Sequence, residues 1–373
     1  MDLPPDLRAA LDETLAPYPP RALADATDDL SRRYRTSAGP RAVAAGASAI
    51  QAPAPSFIRS DLSAAAYAAF RLPATYAAIT AALTQARNRR PNWRPQTLLD
   101  LGAGSGSALW AALTVWPDLT QATLLERDVR MIALGRRLAE SASAAVIQRA
   151  QWRRGDMTAL DELSAGDGYD LVTVGYALGE LRAPERAALI ERLWECVAPA
   201  GALALIEPGT PSGYTHILAA RDALIAAGAT VLAPCPHHAP CPMAATDDVG
   251  GSRDWCHFAQ RLPRSRLHRQ VKGGALAYED EKFAYVVAAR LPKQAEETPE
   301  SLIPIGGRVV RHPQIRPGVI GVEVCAPEGM LRHATYSKRD RAAWHMARNV
   351  RWGDALPATD APTPLDDADL PDE

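Results

Sequence analysis

Between Thr97 and Leu291 the chain alternates short, nearly unbroken apolar runs with longer stretches whose apolar residues recur every three or four positions. Short continuous runs suit strands buried on both faces and spaced ones suit helices lying against them, so the pattern predicts a parallel sheet flanked by helices. Strands are expected at Thr97–Leu101, Ala122–Glu126, Gln151–Arg153, Leu171–Gly175, Ala202–Glu207, Thr230–Ala233 and Phe283–Arg290, seven in all. The region before residue 95 reads as helical. Ser60 and Asp61 are suited to cap a helix through Leu62, Ala66, Tyr67 and Phe70, and Pro73 opens a second one that ends near the basic cluster Arg87–Arg90. Residues 38–55, rich in Ala, Gly, Ser and Pro, read as loop. Beyond a polar linker, Gln294–Pro299, the positions of Val309, Ile320, Val322 and Val324 between Gly and Pro breaks predict a small antiparallel sheet. The expected division is a helical region (1–95), an α/β domain (96–292) with an insertion at 232–272, a basic β domain (302–354) and an acidic, disordered tail (355–373).

At 373 residues the chain is long enough for two or three such units. Its start lacks a basic segment followed by an apolar run, and no stretch approaches the roughly 20 apolar residues that span a bilayer, so a cytoplasmic protein without a membrane partner is expected. The net charge of −2 hides segregation. Residues 253–272 hold six Arg or Lys against one acid, residues 308–351 hold nine against three, and seven acids with no base follow Gly353. Near-neutrality is thus a cancellation, and the two basic runs could form a phosphate-binding surface.

Asp100-Leu101-Gly102-Ala103-Gly104-Ser105-Gly106 directly follows the first strand and opens a helix. Glycines there allow a tight turn and close backbone approach to a ligand, and Glu126, twenty residues after Gly106 at the end of the next strand, can accept both hydroxyls of a ribose. A dinucleotide fingerprint needs GxGxxG, whereas these glycines fall at every second position. The DxGxGxG form resembles motif I of the S-adenosylmethionine-dependent methyltransferases, which implies their Rossmann-like seven-stranded fold. In that resemblance Asp100, Gly102, Ala103, Gly104, Gly106 and Glu126 would hold the cofactor, with Asp156 and Met157 at the position that contacts adenine. Acceptor chemistry is less legible. The fourth strand ends Val174-Gly175-Tyr176-Ala177-Leu178-Gly179-Glu180, without the Asn/Asp-Pro-Pro-aromatic box of amino-methylating nucleic-acid enzymes. Tyr176 could stack on a base and Glu180 could take a proton, though packing and a helix-start charge account for them equally well.

Four of the five cysteines suggest one metal site. Cys235, Cys241 and Cys256 crowd a stretch rich in Pro and His, with a proline after each of the first two, and Cys325 lies far downstream. In a chain without a signal peptide thiols stay reduced, so a metal is a better use for them than a disulfide. Four thiolates suit either zinc or an iron–sulfur cluster, and His237, His238 or His257 could replace a thiol in a zinc site. Cys196 sits in an apolar pattern and reads as buried helix surface.

Several further stretches together resemble the mitochondrial small-ribosomal-subunit methyltransferase-like family, which includes methyltransferase-like protein seventeen and bacterial relatives. They are residues 69–76 (AFRLPATY), 207–211 (EPGTP), the Cys235–Cys241 loop, 254–258 (DWCHF), 279–283 (EDEKF) and 351–354 (RWGD). The resemblance spans about Asp61 to Asp354. It implies a 4Fe-4S cluster on Cys235, Cys241, Cys256 and Cys325, and association of a monomer with assembling small ribosomal subunits and their rRNA. Arg261, Arg264, Arg266, Arg269, Arg308, Arg311, Lys338, Arg339 and Arg341 would then meet phosphates, with Trp255, His257, His268 and Trp344 interleaved for stacking on unpaired bases. Alternatives are a catalytically active rRNA methyltransferase and a zinc-stabilised RNA-binding one. A radical enzyme is disfavoured because the compact CxxxCxxC arrangement that leaves one iron open is missing.

Overall fold

The computed structural model describes residues 1–37, 58–158, 168–244, 254–272, 276–291 and 302–358. The expected loop at 38–55 and the linker at 294–299 lie outside the described residues. Four helices open the chain: α1 (Pro5–Leu15), α2 (Pro20–Ser37), α3 (Asp61–Phe70) and α4 (Leu72–Arg89). Ser60 caps α3 as expected, its hydroxyl accepting from the Ser63 N–H while the Ser63 hydroxyl accepts from the Ser60 N–H.

Strands and helices then alternate: β1 (Thr97–Leu101), α5 (Ser107–Val115), β2 (Gln121–Glu126), α6 (Val129–Ala139), α7 (Ala145–Gln148), β3 (Gln151–Arg154), β4 (Tyr169–Gly175), α8 (Ala183–Glu195), β5 (Val197–Pro208), α9 (Pro211–Ala226) and β6 (Thr230–Ala233). There follow β7 (Phe258–Pro263), α10 (Arg266–Lys272) and β8 (Tyr278–Ala289). The sheet order is β3-β2-β1-β4-β5-β8-β6, parallel except for β8, which runs antiparallel to both β5 and β6. β1 is central because it is buried on both faces: Leu98 and Leu99 are fully enclosed, pairing with Ala122 and Thr123 on one side and Leu171 and Val172 on the other. One face of the sheet packs on α3–α6, the other on α8 and α9.

Two expectations are corrected. The sheet has eight strands, because β8 is twelve residues long and its first half, beyond the reach of β6, pairs with β7 in the insertion. Alternation across β7 is weak, so its apolar pattern gave no signal. The first residues of the expected acidic tail are ordered, since β13 (Ala355–Pro357) pairs with β9 (Ile305–Val309) and buries Leu356, while 359–373 lie outside the described residues. These belong to a second sheet with β10 (Gln314–Arg316), β11 (Val319–Cys325) and β12 (Leu331–Ser337), covered by α11 (Arg341–Ala347). Val309, Ile320, Val322 and Val324 form its core with Ala334, Tyr336 and Leu356.

Candidate functional site

The glycine loop joins β1 to α5, with Gly102, Gly104 and Gly106 all in the left-handed region (φ 63°, 56° and 86°), a conformation that disfavours other side chains. Gly102 also meets Ala177, whose Cβ would lie 2.8 Å from an added Cβ. Glu126, at the end of β2, accepts from the Gly104 N–H and the Asp128 N–H, both at 2.8 Å, so the carboxylate holds the loop in place. Asp100 is buried. Its Oδ1 accepts from the Thr173 hydroxyl at 2.7 Å, while its Oδ2 is sealed from solvent and meets no donor among the described residues. Burial pushes its carboxyl up to about 7, the Thr173 bond opposing and the Glu126 charge adding to the shift. Met157 approaches Gly102, and Asp156 Oδ1 accepts from the Thr158 N–H and hydroxyl.

Tyr176 does not present a free stacking face. Its φ of 60° turns the chain sharply after β4, its hydroxyl donates to Glu281 at 2.9 Å, and Arg71 lies over its ring at 5.1 Å while also pairing with Glu281. Glu180 pairs with Arg127 at 2.8 Å, and its carboxyl is pushed up to about 7 by loss of solvent, Arg127 opposing. The sequence reading missed a more enclosed acid–base pair. Glu207 at the end of β5 is buried, accepts from the Leu178 N–H at 3.0 Å and faces His216 Nδ1 at 3.4 Å, with the Ser212 hydroxyl 3.4 Å from Nε2. Ser212 and His216 lie one turn apart on α9, which was the available signal.

The four thiols meet. Cys235, Cys241, Cys256 and Cys325 line one cavity of about 20 Å³, with Met243, Val310 and Phe258 among its walls. They arrive from the loop after β6, the approach to β7 and the end of β11, segments separated widely in sequence. Three contacts frame them: the Tyr214 hydroxyl donates to Cys241 Sγ (3.3 Å), His237 Nε2 lies 3.3 Å from Cys325 Sγ, and Arg221 donates to the carbonyls of His237 (3.1 Å) and Ala239 (2.7 Å). Tyr214 and Arg221 are two turns apart on one face of α9, a spacing that was visible but carried no meaning without the loop. Burial raises Cys235, Cys256 and Cys325, the last to about 12, neighbouring thiols adding and Arg221, Arg308 or Arg311 opposing. Among the described residues no group of three or more His, Cys, Asp or Glu has the arrangement to hold a metal ion. Cys196 is buried away from this cavity, as expected.

The basic runs are corrected in part. Arg308 is 1% exposed and donates to the carbonyls of Pro234 (2.8 Å) and Gly353 (2.9 Å) and to Gln85, so it joins the C-terminal sheet to the cysteine loop and cannot meet RNA. Arg261 pairs with Asp280, Arg264 with Glu279 and Arg311 with Asp254. Arg266, Arg269, Lys338, Arg339 and Arg341 remain exposed. The rings expected to stack on bases are largely engaged with protein: Trp255 stacks on His257, His257 meets Trp352 edge-on, and His268 is buried beside Glu279.

These contacts explain why scattered stretches go together. Trp255 Nε1 donates to the Gly209 carbonyl (3.0 Å), joining DWCHF to EPGTP; Arg71 ties AFRLPATY to EDEKF; Trp352 meets His257 edge-on, joining RWGD to DWCHF. The sequence matches the family described as mitochondrial small ribosomal subunit Rsm22 over residues 61–357. The chain belongs to that family. Among Rsm22-like relatives, the human ribosome assembly protein METTL17, mitochondrial, is 29% identical over 308 residues, covering 78% of this chain and 62% of that protein. The ribosome assembly protein RSM22, mitochondrial, of Saccharomyces cerevisiae is 22% identical, covering 70% and 62%. The chain therefore spans about 62% of the length of these two relatives. An O-methyltransferase family protein from Burkholderia thailandensis is 16% identical, with a TM-score of 0.39 and coverage of 62% of this chain and 61% of that one. Both Rsm22-family relatives are designated mitochondrial, which leaves the cytoplasmic expectation without support. Among the described residues no helix is long and apolar enough to cross a membrane.

Proposed function

We propose that this Rsm22-family chain binds S-adenosylmethionine, holds a 4Fe-4S cluster on Cys235, Cys241, Cys256 and Cys325, and acts as a monomer that docks on rRNA of the assembling small ribosomal subunit. The observation that carries the reading is the thiol cavity: four soft donors from three distant segments converge at the seam between the two sheets. Four thiolates lining one cavity suit either a cluster, which spreads them over separate irons, or zinc, which draws them to about 2.3 Å from one ion, and it is the family resemblance of the sequence that favours the cluster. Buried Arg308, whose acceptors are carbonyl oxygens, and buried Arg221, which also pairs with Asp222 at 2.7 Å, place positive charge beside sulfurs that would be anionic when metal-bound. The residues also fit the cofactor: Asp100 Oδ2 is a buried acceptor that meets no donor among the described residues, and the left-handed Gly102, Gly104 and Gly106 keep the loop bare of side chains. S-adenosylmethionine would supply an activated methyl group there. A second reading, active methyl transfer to rRNA, is favoured by one feature, the His216–Glu207 pair beside Leu178, where the imidazole could hold a proton from an acceptor. The docking surface we assign is Arg266 and Arg269 on α10 with Lys338, Arg339 and Arg341 on the C-terminal domain, and the domains divide as the sequence suggests with β13 added.

Protein purified without oxygen should be brown, absorb broadly near roughly 400 nm and hold about four irons and four sulfides per chain. Colourless protein with stoichiometric zinc would overturn the cluster. Replacing Arg266 and Arg269 by Glu should release the chain from small-subunit precursors and flatten the salt dependence of rRNA binding, with the metal content unchanged. Undiminished co-sedimentation would remove this surface from the reading.

A further inference from the structure

A cleft of about 400 Å³ opens between the end of α4, the start of β6, the Pro236–Ala239 turn and Pro327. Arg89, the last residue of α4, lies in its wall. Its Nε and Nη1 are shut off from solvent and donate to no acceptor among the described residues. A cation at a helix C-terminus is favoured by the helix dipole, which accounts for the charge but not for the missing acceptors. Arg87, two residues earlier, shows the usual solution by donating to the Val115 carbonyl at 2.9 Å. The other residues lining the cleft include no carboxylate, and the charge that acts on Arg89 is that of Arg308, of the same sign. A half-buried guanidinium with two enclosed nitrogens lacking acceptors is costly unless an anion reaches it.

The remaining walls contribute donors. Val231 N–H donates to His238 Nε2 at 3.0 Å, so the neutral imidazole keeps its proton on Nδ1, and Thr230 adds a hydroxyl. Donor-bearing residues from three segments, α4, β6 and the turn, line the cleft, which suits the several oxygens of a phosphate. We propose that this cleft is a phosphate-binding site in which Arg89 is the principal cation. The phosphate is either a free or monoester phosphate or a phosphodiester of bound RNA. The site rests on neither the cofactor nor the metal assignment.

Thermal unfolding of the full chain in phosphate-free buffer, with inorganic phosphate titrated in, tests the site. Phosphate should raise the melting temperature of the wild type and leave Arg89→Gln unmoved, while without phosphate Arg89→Gln should melt no lower than the wild type, because it loses a half-buried charge whose Nε and Nη1 have no acceptor among the described residues. Fluorescence titration with a short single-stranded RNA separates the two sources. If the occupant is a backbone phosphate, Arg89→Gln weakens RNA binding by roughly tenfold and phosphate competes with RNA; if it is free phosphate, RNA binding is the same in both proteins. An equal phosphate response in the two proteins, or no response in the wild type together with unchanged RNA binding, overturns the site. So does a variant that melts lower than the wild type when the wild type ignores phosphate, since Arg89 would then be a structural residue.

Discussion

Asp100 illustrates how one side chain can report on a pocket. Its carboxyl titrates near 7 in the folded chain against 3.8 ordinarily, so the folded state holds the proton more tightly than the unfolded one. That contribution to stability is complete below about pH 4 and is lost as pH rises through about 7. Urea unfolding should therefore show wild-type stability falling across that window relative to Asp100→Asn, whose amide cannot titrate. A cationic ligand beside the ionised carboxylate should reverse the trend for binding, and S-adenosylmethionine affinity measured by calorimetry should rise from about pH 6 to about pH 8 in the wild type only. Parallel pH profiles for the two proteins would mean that Asp100 is not the group responsible.

At the scale of elements, the loop at the strand ends is positioned by how tightly the flanking pieces approach. α6 lies against β3 through Gly135, where an added Cβ would stand 2.3 Å from the Trp152 ring and 3.2 Å from the Ser105 carbonyl of the glycine loop. Gly135→Ala should push helix and ring apart and destabilise the fold by about 1–3 kcal/mol, the usual cost of overpacking. Equilibrium denaturation measures it. An unchanged midpoint would show that Trp152 can rotate away at little cost. The spacing of apolar residues announced that α6 is a helix with a buried face; it contained no sign that the face must be bare at Gly135, because the partner ring comes from a strand seventeen residues later.

Across the whole molecule, the second sheet is fastened to the first by Arg308 and by the thiol cavity. Metal binding there would be coupled to folding of the C-terminal domain, since Cys325 ends β11. Cys325→Ser should reduce bound metal and lower hydrogen-exchange protection in β9 and β11 while β1, β4 and β5 keep theirs. Uniform protection in the variant would show that Arg308 and the packing of Val310 alone secure the sheet.

Periodicity alone was enough to define the parallel sheet, its helices and the small C-terminal sheet, because strand and helix burial leave a repeat in the order of residues. Residue type and spacing likewise singled out the glycine loop, Glu126 and the four cysteines, whose chemistry is written in their side chains. Which polar residues are free was decided only by tertiary structure. Arg308 and Arg264 read as members of solvated basic runs, yet one is enclosed at the seam and the other paired with Glu279. Glu207 and His216, Tyr214 and Arg221 acquire their roles only because β5, α9 and the cysteine loop converge. Burial and pairing are relations between distant segments, and charge counted along the chain has no access to them.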